Sequence, residues 1–160
     1  MVDKVLFSSK VSEWKTPIWL FKKLESMFGK FDLDPATTED NPLSTSYFYT
    51  PREDGLKQKW FGRVYVNPPY GRRVVYSWVS KAVYECVIKK NCDLVVMLLP
   101  ARTDTLWFQN LVLKYASEIY FIRGRIKFVG AKNTAPFPSI IVVFKKDKKD
   151  LDPPVIKRWI

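Results

Sequence analysis

The stretch Arg63-Val64-Tyr65-Val66-Asn67-Pro68-Pro69-Tyr70 decides how this chain is interpreted. Its first four residues have the composition of a buried strand, which places Asn67 at the strand's carboxyl end. The side-chain oxygen of Asn67 is an acceptor, and Pro68 and Pro69 have fixed φ angles that hold their carbonyls rigidly. Two such acceptors can grip one exocyclic NH2 group, while Tyr70 offers a ring on which a planar base can stack.

The same tetrapeptide also has a purely structural interpretation. Two consecutive prolines end a strand because they cannot donate to a sheet, and the aromatic residue after them can pack in the core. The tetrapeptide alone does not decide between the two interpretations.

Composition predicts one globular domain. The chain has 160 residues, of which 47% are hydrophobic and 27% charged, so it can form a substantial core. We expect a single domain over residues 1–145 and a basic tail over 146–160. No apolar run reaches the ~20 residues that span a bilayer, and Met1–Lys4 lack a signal peptide's apolar stretch, so we expect a cytoplasmic location.

The residue inventory restricts the chemistry. The chain has no histidine and only two cysteines, which excludes His-based catalysis and argues against a disulfide framework or a metal site. A mechanism must therefore use carboxylates, amides, backbone groups, Tyr or Lys. The net charge of +11 favours a polyanionic partner, most simply nucleic acid, over a merely solvated basic surface.

Hydrophobic periodicity predicts alternating helices and strands. Thr16 is expected to cap the first helix, and Thr103 or Asp104 a later one that reaches about Ala116. Residues 36–52 lack periodicity and are expected to form a long loop of the kind that often carries function. The alternation predicts a three-layer α/β domain with a mostly parallel sheet. The predicted helices are 18–28 and 74–89, and the predicted strands are 31–34, 63–66, 93–99, 119–122 and a hairpin formed by 124–128 and 139–144.

Several further motifs follow a fixed order along the chain and surround Asn67-Pro68-Pro69-Tyr70. Over roughly residues 12–144 this series resembles the phage-type DNA N-6-adenine methyltransferases, the Dam-like enzymes of viruses and prophages. The motifs are Trp14-Lys15-Thr16-Pro17, Leu33-Asp34-Pro35-Ala36, Asp54-Gly55-Leu56, Trp60, Leu99-Pro100-Ala101-Arg102-Thr103-Asp104-Thr105, Trp107-Phe108, Gly124-Arg125-Ile126-Lys127-Phe128 and Pro138-Ser139.

The resemblance implies a fold and an activity. The fold is a Rossmann-like S-adenosylmethionine-dependent methyltransferase domain with a mostly parallel sheet and a C-terminal antiparallel hairpin. The activity is methyl transfer from S-adenosylmethionine to the exocyclic amine of an adenine flipped out of double-stranded DNA, without a metal. For a viral protein the location is the host cytoplasm, and a homodimer is possible.

The resemblance also implies roles for particular residues. Asn67 and the Pro68 carbonyl accept from the adenine amine, and Tyr70 stacks on the base. The residues implied to be catalytic are Asn67, Pro68, Pro69 and Tyr70. Those implied to bind the cofactor are Trp14, Thr16, Pro17, Asp34, Pro35, Ala36, Asp54 and Asn67.

Basic residues near these motifs are candidates for phosphate contact. Arg72 and Arg73 directly follow the tetrapeptide and are the strongest of them. For each lone basic residue the alternative is a solvated surface charge, which we favour for Lys132. The other nucleic-acid-binding candidates are Arg102, Arg125 and Lys127, with Arg123 also considered.

The chain departs from the broader methyltransferase pattern in one loop. Residues 34–39 contain no glycine, although the usual cofactor loop is glycine-rich; the phage-type enzymes share this departure. The short interval from Asp34 to Asn67 predicts that the second strand of the usual fold is reduced or missing. Two alternatives remain open: transfer to another planar amine, of an RNA base or a protein glutamine, and an inactive relative that binds nucleic acid.

Overall fold

The computed structural model describes residues 14–149 and 152–159, which form a seven-stranded mixed sheet with helices on its two faces. The strand order across the sheet is β2-β1-β3-β4-β6-β5-β7. None of the helices in these two ranges is long and apolar enough to cross a membrane. The strands are β1 (Leu33–Asp34), β2 (Tyr47–Phe48), β3 (Gly62–Val66), β4 (Cys92–Pro100), β5 (Glu118–Phe121), β6 (Ser139–Lys145) and β7 (Val155–Arg158).

The helices follow the predicted periodicity. Helix α1 (Ile18–Phe28) has the predicted bounds and ends at Gly29, whose φ is 84°. Helix α2 (Val74–Ala82) continues as a π-helix over Val83–Ile88, so the two together cover the predicted 74–89. A third helical segment includes a π-helix at Phe108–Val112 and ends in α3 (Leu113–Tyr115).

Strand directions place the carboxyl ends of β1, β3, β4 and β5 at one edge of the sheet. The pairs β1–β2, β1–β3 and β3–β4 are parallel. Strand β6 is antiparallel to both β4 and β5, so it begins where they end. Strand β2 has only two residues, as predicted for the second strand. Loops that follow parallel strands at this edge are where ligands bind in open α/β sheets.

Alternating side chains of the sheet pack against different layers. Tyr65 lies against Phe21 and Phe31, with ring centroids 5.2 and 5.6 Å away, and so ties β3 to α1. Cys86, in the π-helical segment after α2, donates its thiol to the Phe144 carbonyl at 3.4 Å. Cys92 is also buried, and neither thiol is bonded to the other. The predicted three-layer arrangement is confirmed.

The predicted hairpin is wrong in one strand. The antiparallel partners of β6 are β4 and β5, with Phe121 of β5 opposite Ile140, and the segment 124–128 is not one of them. Ile126 and Phe128 are buried, and Phe128 packs against Trp14 at 5.3 Å between ring centroids. The alternation of apolar residues in 124–128 therefore reflects packing of a loop and not a place in the sheet.

The segment predicted as a basic tail also contains a strand. Within 146–160, Val155–Arg158 forms β7 parallel to β5. Lys157 of this strand lies 3.3 Å from the Glu118 carboxylate, which also bonds Lys145 of β6 at 2.5 Å. One lysine of the predicted tail, Lys157, thus lies beside a buried acid.

The predicted helix caps differ from the observed ones. Pro17 occupies the cap position of α1, and no side chain caps the helix. The hydroxyl of Thr16 bonds elsewhere, to Tyr65 and Asn67. Neither Thr103 nor Asp104 caps the third helical segment; the Thr105 hydroxyl accepts from the Phe108 N–H at 3.4 Å.

Gly55 is expected to tolerate no side chain. A Cβ atom there would lie 2.0 Å from the Pro35 carbonyl oxygen, so the backbones at 35 and 55 touch. We expect Gly55→Ala to lower the free energy of unfolding by about 3 kcal/mol, because neither backbone can move without disturbing β1. Gly130→Ala is the control: the φ of Gly130 is 79°, but none of the described residues lies within 4 Å of an added Cβ atom, so only about 1 kcal/mol of backbone strain is expected. Equal losses in urea denaturation would contradict the close approach.

Candidate functional site

A cavity of about 350 Å³ opens beside the carboxyl ends of β1 and β3. Its wall combines a few polar groups with apolar side chains, the usual composition of a small-molecule site. Segments from the first motif, from both strand ends and from the long loop meet here. The lining residues are Trp14, Lys15, Thr16, Asp34, Pro35, Ala36, Thr37, Thr38, Pro42, Leu43, Thr50, Pro51, Asp54, Gly55, Leu56, Asn67, Pro68, Pro69 and Trp78.

Asn67 stands at the end of β3 with its amide held in one orientation. Its Nδ2 donates to the Trp14 carbonyl at 2.5 Å and to the Thr16 hydroxyl at 3.0 Å. Its Oδ1 is buried and has no hydrogen-bond partner among residues 14–149 and 152–159. A buried acceptor without a donor is unfavourable by about 1–3 kcal/mol, so this oxygen is suited to a ligand's N–H.

Asp34 supplies a carboxylate from the end of β1. The side chain is 3% exposed, and its Oδ1 accepts the Ala36 N–H at 3.1 Å. Burial raises the pKa of this carboxyl from 3.8 to about 7, although the Ala36 hydrogen bond lowers it. No cation bonds to it within the described ranges, so a positively charged ligand group would find its natural partner here.

The Asp54 turn forms another wall of the cavity. Asp54 has a φ of 58°, and its Oδ1 accepts from the Leu56 N–H at 3.2 Å. The second carboxylate oxygen lies 3.3 Å from Lys57 Nζ on the solvent side. The turn is anchored below by Trp60, whose indole N–H donates to the Gly55 carbonyl at 2.8 Å.

Tyr70 lies in the core and not in the cavity wall. Its side chain is 8% exposed and its hydroxyl donates to the Leu98 carbonyl at 3.0 Å. The ring meets Phe137 and Phe128 edge-on, with centroids 5.6 and 6.4 Å away. The structural interpretation of Tyr70 therefore describes this conformation, and stacking on a base stays a prediction.

Tyr70→Ala is expected to destabilise the fold. Removing a buried aromatic ring typically lowers the free energy of unfolding by about 3–5 kcal/mol. Tyr70→Phe removes only the bond to the Leu98 carbonyl, and we expect a loss of about 1 kcal/mol. Urea denaturation of both variants checks this. A Tyr70→Ala variant within 1 kcal/mol of the parent would mean that the ring is not part of the core.

The predicted phosphate-binding residues are exposed and lie outside the cavity wall. Arg73 precedes α2 with a φ of 69°. Arg102 follows β4, and Arg123, Arg125 and Lys127 follow β5. The segments that carry these residues therefore leave the sheet at the edge where Asn67 follows β3. Arg72 and Lys132 are likewise exposed.

Most of the predicted cofactor residues meet in the cavity wall. Trp14, Thr16, Asp34, Pro35, Ala36, Asp54 and Asn67 line it, together with Pro68 and Pro69 of the catalytic set. Pro17 does not line it; it is buried at the start of α1. The roles of these predicted cofactor-binding and catalytic residues stay predictions.

Sequence reasoning missed several contributors. The length of loop 36–52 predicts a functional role for the loop, but it does not identify Thr37, Thr38 and Thr50 as residues that line the cavity. Tyr65 was missed as well, although it stands two residues before Asn67. Side chains two apart on a strand share a face, and that spacing is the signal that identifies it. Within 14–149 and 152–159 no group of three or more Cys, Asp or Glu could hold a metal.

An open α/β sheet with a ligand-sized cavity at its carboxyl edge, lined by Asn67, Pro68 and Pro69, is the arrangement of a small-molecule site in proteins of the open α/β class. In fold, the chain is similar to a protein described as a candidate RNA methyltransferase from Pyrococcus horikoshii, with a TM-score of 0.52 over 86% of this chain and 93% of that one. At 15% identity this likeness establishes the Rossmann-like methyltransferase fold alone.

The chain belongs to the DNA N-6-adenine-methyltransferase (Dam) family, whose model matches residues 6–153. Two similar proteins are the DNA N-6-adenine-methyltransferase of Haemophilus phage HP1, 35% identical over 72% of this chain, and that of Escherichia phage T1, 37% identical over 69%. The matches span 65% and 44% of those relatives' own lengths.

Proposed function

We propose that this protein is an S-adenosylmethionine-dependent methyltransferase that acts on the exocyclic N6 amine of adenine in double-stranded DNA. The observation that carries the proposal is Asn67 Oδ1, which has no hydrogen-bond partner in the part of the chain that the structure describes. It lies beside a cavity whose other wall holds the buried acid Asp34. Family membership and the net charge of +11 support the same assignment.

The cavity residues fit S-adenosylmethionine. The volume of the cavity, about 350 Å³, falls in the range of small-molecule pockets. The carboxylate of Asp34, which has no cationic partner among the described residues, suits the cofactor's ammonium group. The apolar surfaces of Leu43, Leu56 and Trp78 suit a flat heterocycle, and the hydroxyls of Thr37 and Thr38 can bond its polar groups. S-adenosylmethionine, when bound, supplies an electrophilic methyl carbon and so removes any need for a metal.

The protein's task is to prepare the nucleophile. The lone pair of an adenine amine is delocalised into the ring, so the amine is a weak nucleophile. Asn67 Oδ1 and the Pro68 carbonyl are the two acceptors proposed for its hydrogens. Accepting both hydrogens favours a pyramidal nitrogen, and fixed dipoles of this kind stabilise charge as it develops. No histidine or other strong base is required.

Access to the amine requires the nucleotide to leave the duplex, which is unfavourable by a few kcal/mol. Exposed basic residues at the same sheet edge are proposed to offset this through the phosphates. Arg72 and Arg73 flank the tetrapeptide most directly, and Arg102, Arg125 and Lys127 extend the charge along the edge. A cytoplasmic location and homodimer formation stay predictions.

A methyl-transfer assay with labelled S-adenosylmethionine tests the proposal. Equal amounts of unmethylated duplex DNA, RNA of the same sequence and a mixed protein substrate are offered, and the product nucleosides are identified by mass spectrometry. We expect N6-methyladenine in DNA. Label in RNA or protein alone would overturn the substrate assignment, and cofactor binding without transfer to any of them would identify an inactive relative.

A further inference from the structure

A chain of hydrogen bonds runs behind Asn67 into the core. The Tyr65 hydroxyl lies 2.7 Å from Thr16 Oγ1, and Thr16 Oγ1 accepts from Asn67 Nδ2 at 3.0 Å. Tyr65 is fully buried and Thr16 is 8% exposed. Tyr65 does not line the cavity, so it can influence a ligand only through the residues that it holds.

These bonds select one of two orientations of the Asn67 amide. Rotation of the amide by half a turn would exchange its oxygen and nitrogen, placing Oδ1 against the Trp14 carbonyl that Nδ2 now approaches at 2.5 Å. Two acceptor oxygens at such a short distance repel each other. The observed orientation uses both hydrogens of Nδ2 inside the protein and leaves Oδ1 alone as the group to be partnered.

Tyr65 makes Thr16 an acceptor toward Asn67. A threonine hydroxyl has one hydrogen and can point it toward either neighbour. With the Tyr65 hydroxyl on one side, the pair shares a hydrogen between Tyr65 and Thr16, whichever of them donates. A lone pair of Oγ1 is thereby left facing Nδ2. Burial and the nearby Asp34 raise the pKa of Tyr65 far above its ordinary value, so the phenol keeps its proton.

We propose that Tyr65, acting through Thr16, is a positioning residue that fixes the Asn67 amide with its oxygen toward the substrate amine. This inference rests on the proposed function for its catalytic consequence. The orientation itself is a property of the free protein and can be measured without any substrate.

The first test observes the amide directly. In protein labelled with 15N-asparagine, the Nδ2 signals of Asn67 are assigned by their loss in Asn67→Ala. We expect them to exchange with solvent slowly in the parent and at least about 10-fold faster in Tyr65→Phe and Thr16→Val, with Thr16→Ser restoring the slow rate. The chain has only five asparagines to resolve, namely Asn41, Asn67, Asn91, Asn110 and Asn133.

The second test separates positioning from binding. Because Tyr65 does not reach the cavity, Tyr65→Phe is expected to lower kcat by about 5- to 10-fold, the effect of one hydrogen bond, with the affinity for S-adenosylmethionine unchanged. Tyr120→Phe is the matched control. It removes another buried tyrosine hydroxyl, one that bonds Glu118 at 2.6 Å away from the cavity wall, and should leave kcat unchanged.

The outcomes are distinct. Parental exchange rates and parental kcat in Tyr65→Phe would overturn the positioning role. Loss of kcat together with an equal loss in Tyr120→Phe would also overturn it, since the effect would then be a general one of stability. If the parent protein transfers no methyl group, the proposed function fails, while slow amide exchange that is lost in Tyr65→Phe would still support the fixed orientation.

Discussion

Asn67→Ala is expected to lower kcat for adenine methylation by about 10²–10³-fold, the loss typical of removing one preorganised group that faces developing charge. The substitution removes the unpartnered Oδ1, so the substrate amine would lose one of its two proposed acceptors. The protein should stay folded, because Asn67 is only partly buried. Steady-state kinetics on duplex DNA with saturating S-adenosylmethionine measure the effect.

Cofactor binding distinguishes this role from a structural one. Asn67→Ala also removes the two bonds that hold Trp14 and Thr16, so we expect a modest loss of affinity for S-adenosylmethionine, less than 10-fold. The exposed Asn110 lies outside the cavity wall, and Asn110→Ala should behave as the parent. Parallel losses of affinity and of kcat in Asn67→Ala would argue that the residue shapes the cavity and does not grip the amine.

Asp34→Asn is expected to stabilise the protein at neutral pH while weakening cofactor binding. The substitution keeps an acceptor for the Ala36 N–H but removes a buried charge. We expect the affinity for S-adenosylmethionine to fall about 10- to 100-fold, the value of a hydrogen bond between charged groups. Isothermal titration calorimetry at pH 8 measures that loss.

The stability of this variant relative to the parent depends on pH in a defined direction. Because burial raises the pKa of Asp34 from 3.8 to about 7, the folded state holds this proton more tightly than the unfolded state. The parent therefore loses stability as pH rises from about 4 to about 7, and the loss is complete above that range. The Asp34→Asn variant has no group to ionise there, so its advantage grows to at most about 4 kcal/mol at pH 8 and vanishes below about pH 4.

Urea denaturation at a series of pH values checks this dependence. Asp104→Asn, which changes an exposed acid, serves as the control and should follow the parent throughout. A pH-independent difference between Asp34→Asn and the parent would show that the carboxyl is already solvated or paired, and would remove the argument for a cationic ligand group beside it.

The strand ends could be predicted because their signals are local. Prolines shortly after β1 and β3 indicate where each strand stops, and those stops bring Asp34 and Asn67 to one edge. The ordered motifs then predicted most of the cavity wall. Such signals depend on short stretches of chain, which a single sequence displays in full.

The remainder depends on contacts between distant segments. Residues 124–128 alternate as a strand would, but Phe128 packs with Trp14, more than a hundred positions earlier. Residues 155–158 have the composition of a solvated tail, but they pair with β5, where Lys157 lies 3.3 Å from the Glu118 carboxylate. Tyr70 shows the same effect at the site, because Phe137 and the Leu98 carbonyl that enclose it come from other parts of the chain.

The two buried cysteines make this protein convenient for fluorescence work. Burial raises the pKa of Cys86 to about 12 and raises that of Cys92 as well, and only the thiolate form reacts with maleimides. Since the chain has no other cysteine, a single Lys132→Cys substitution in the exposed loop would take one dye selectively. The fluorescence of that dye would then report whether the loop moves as duplexes are added.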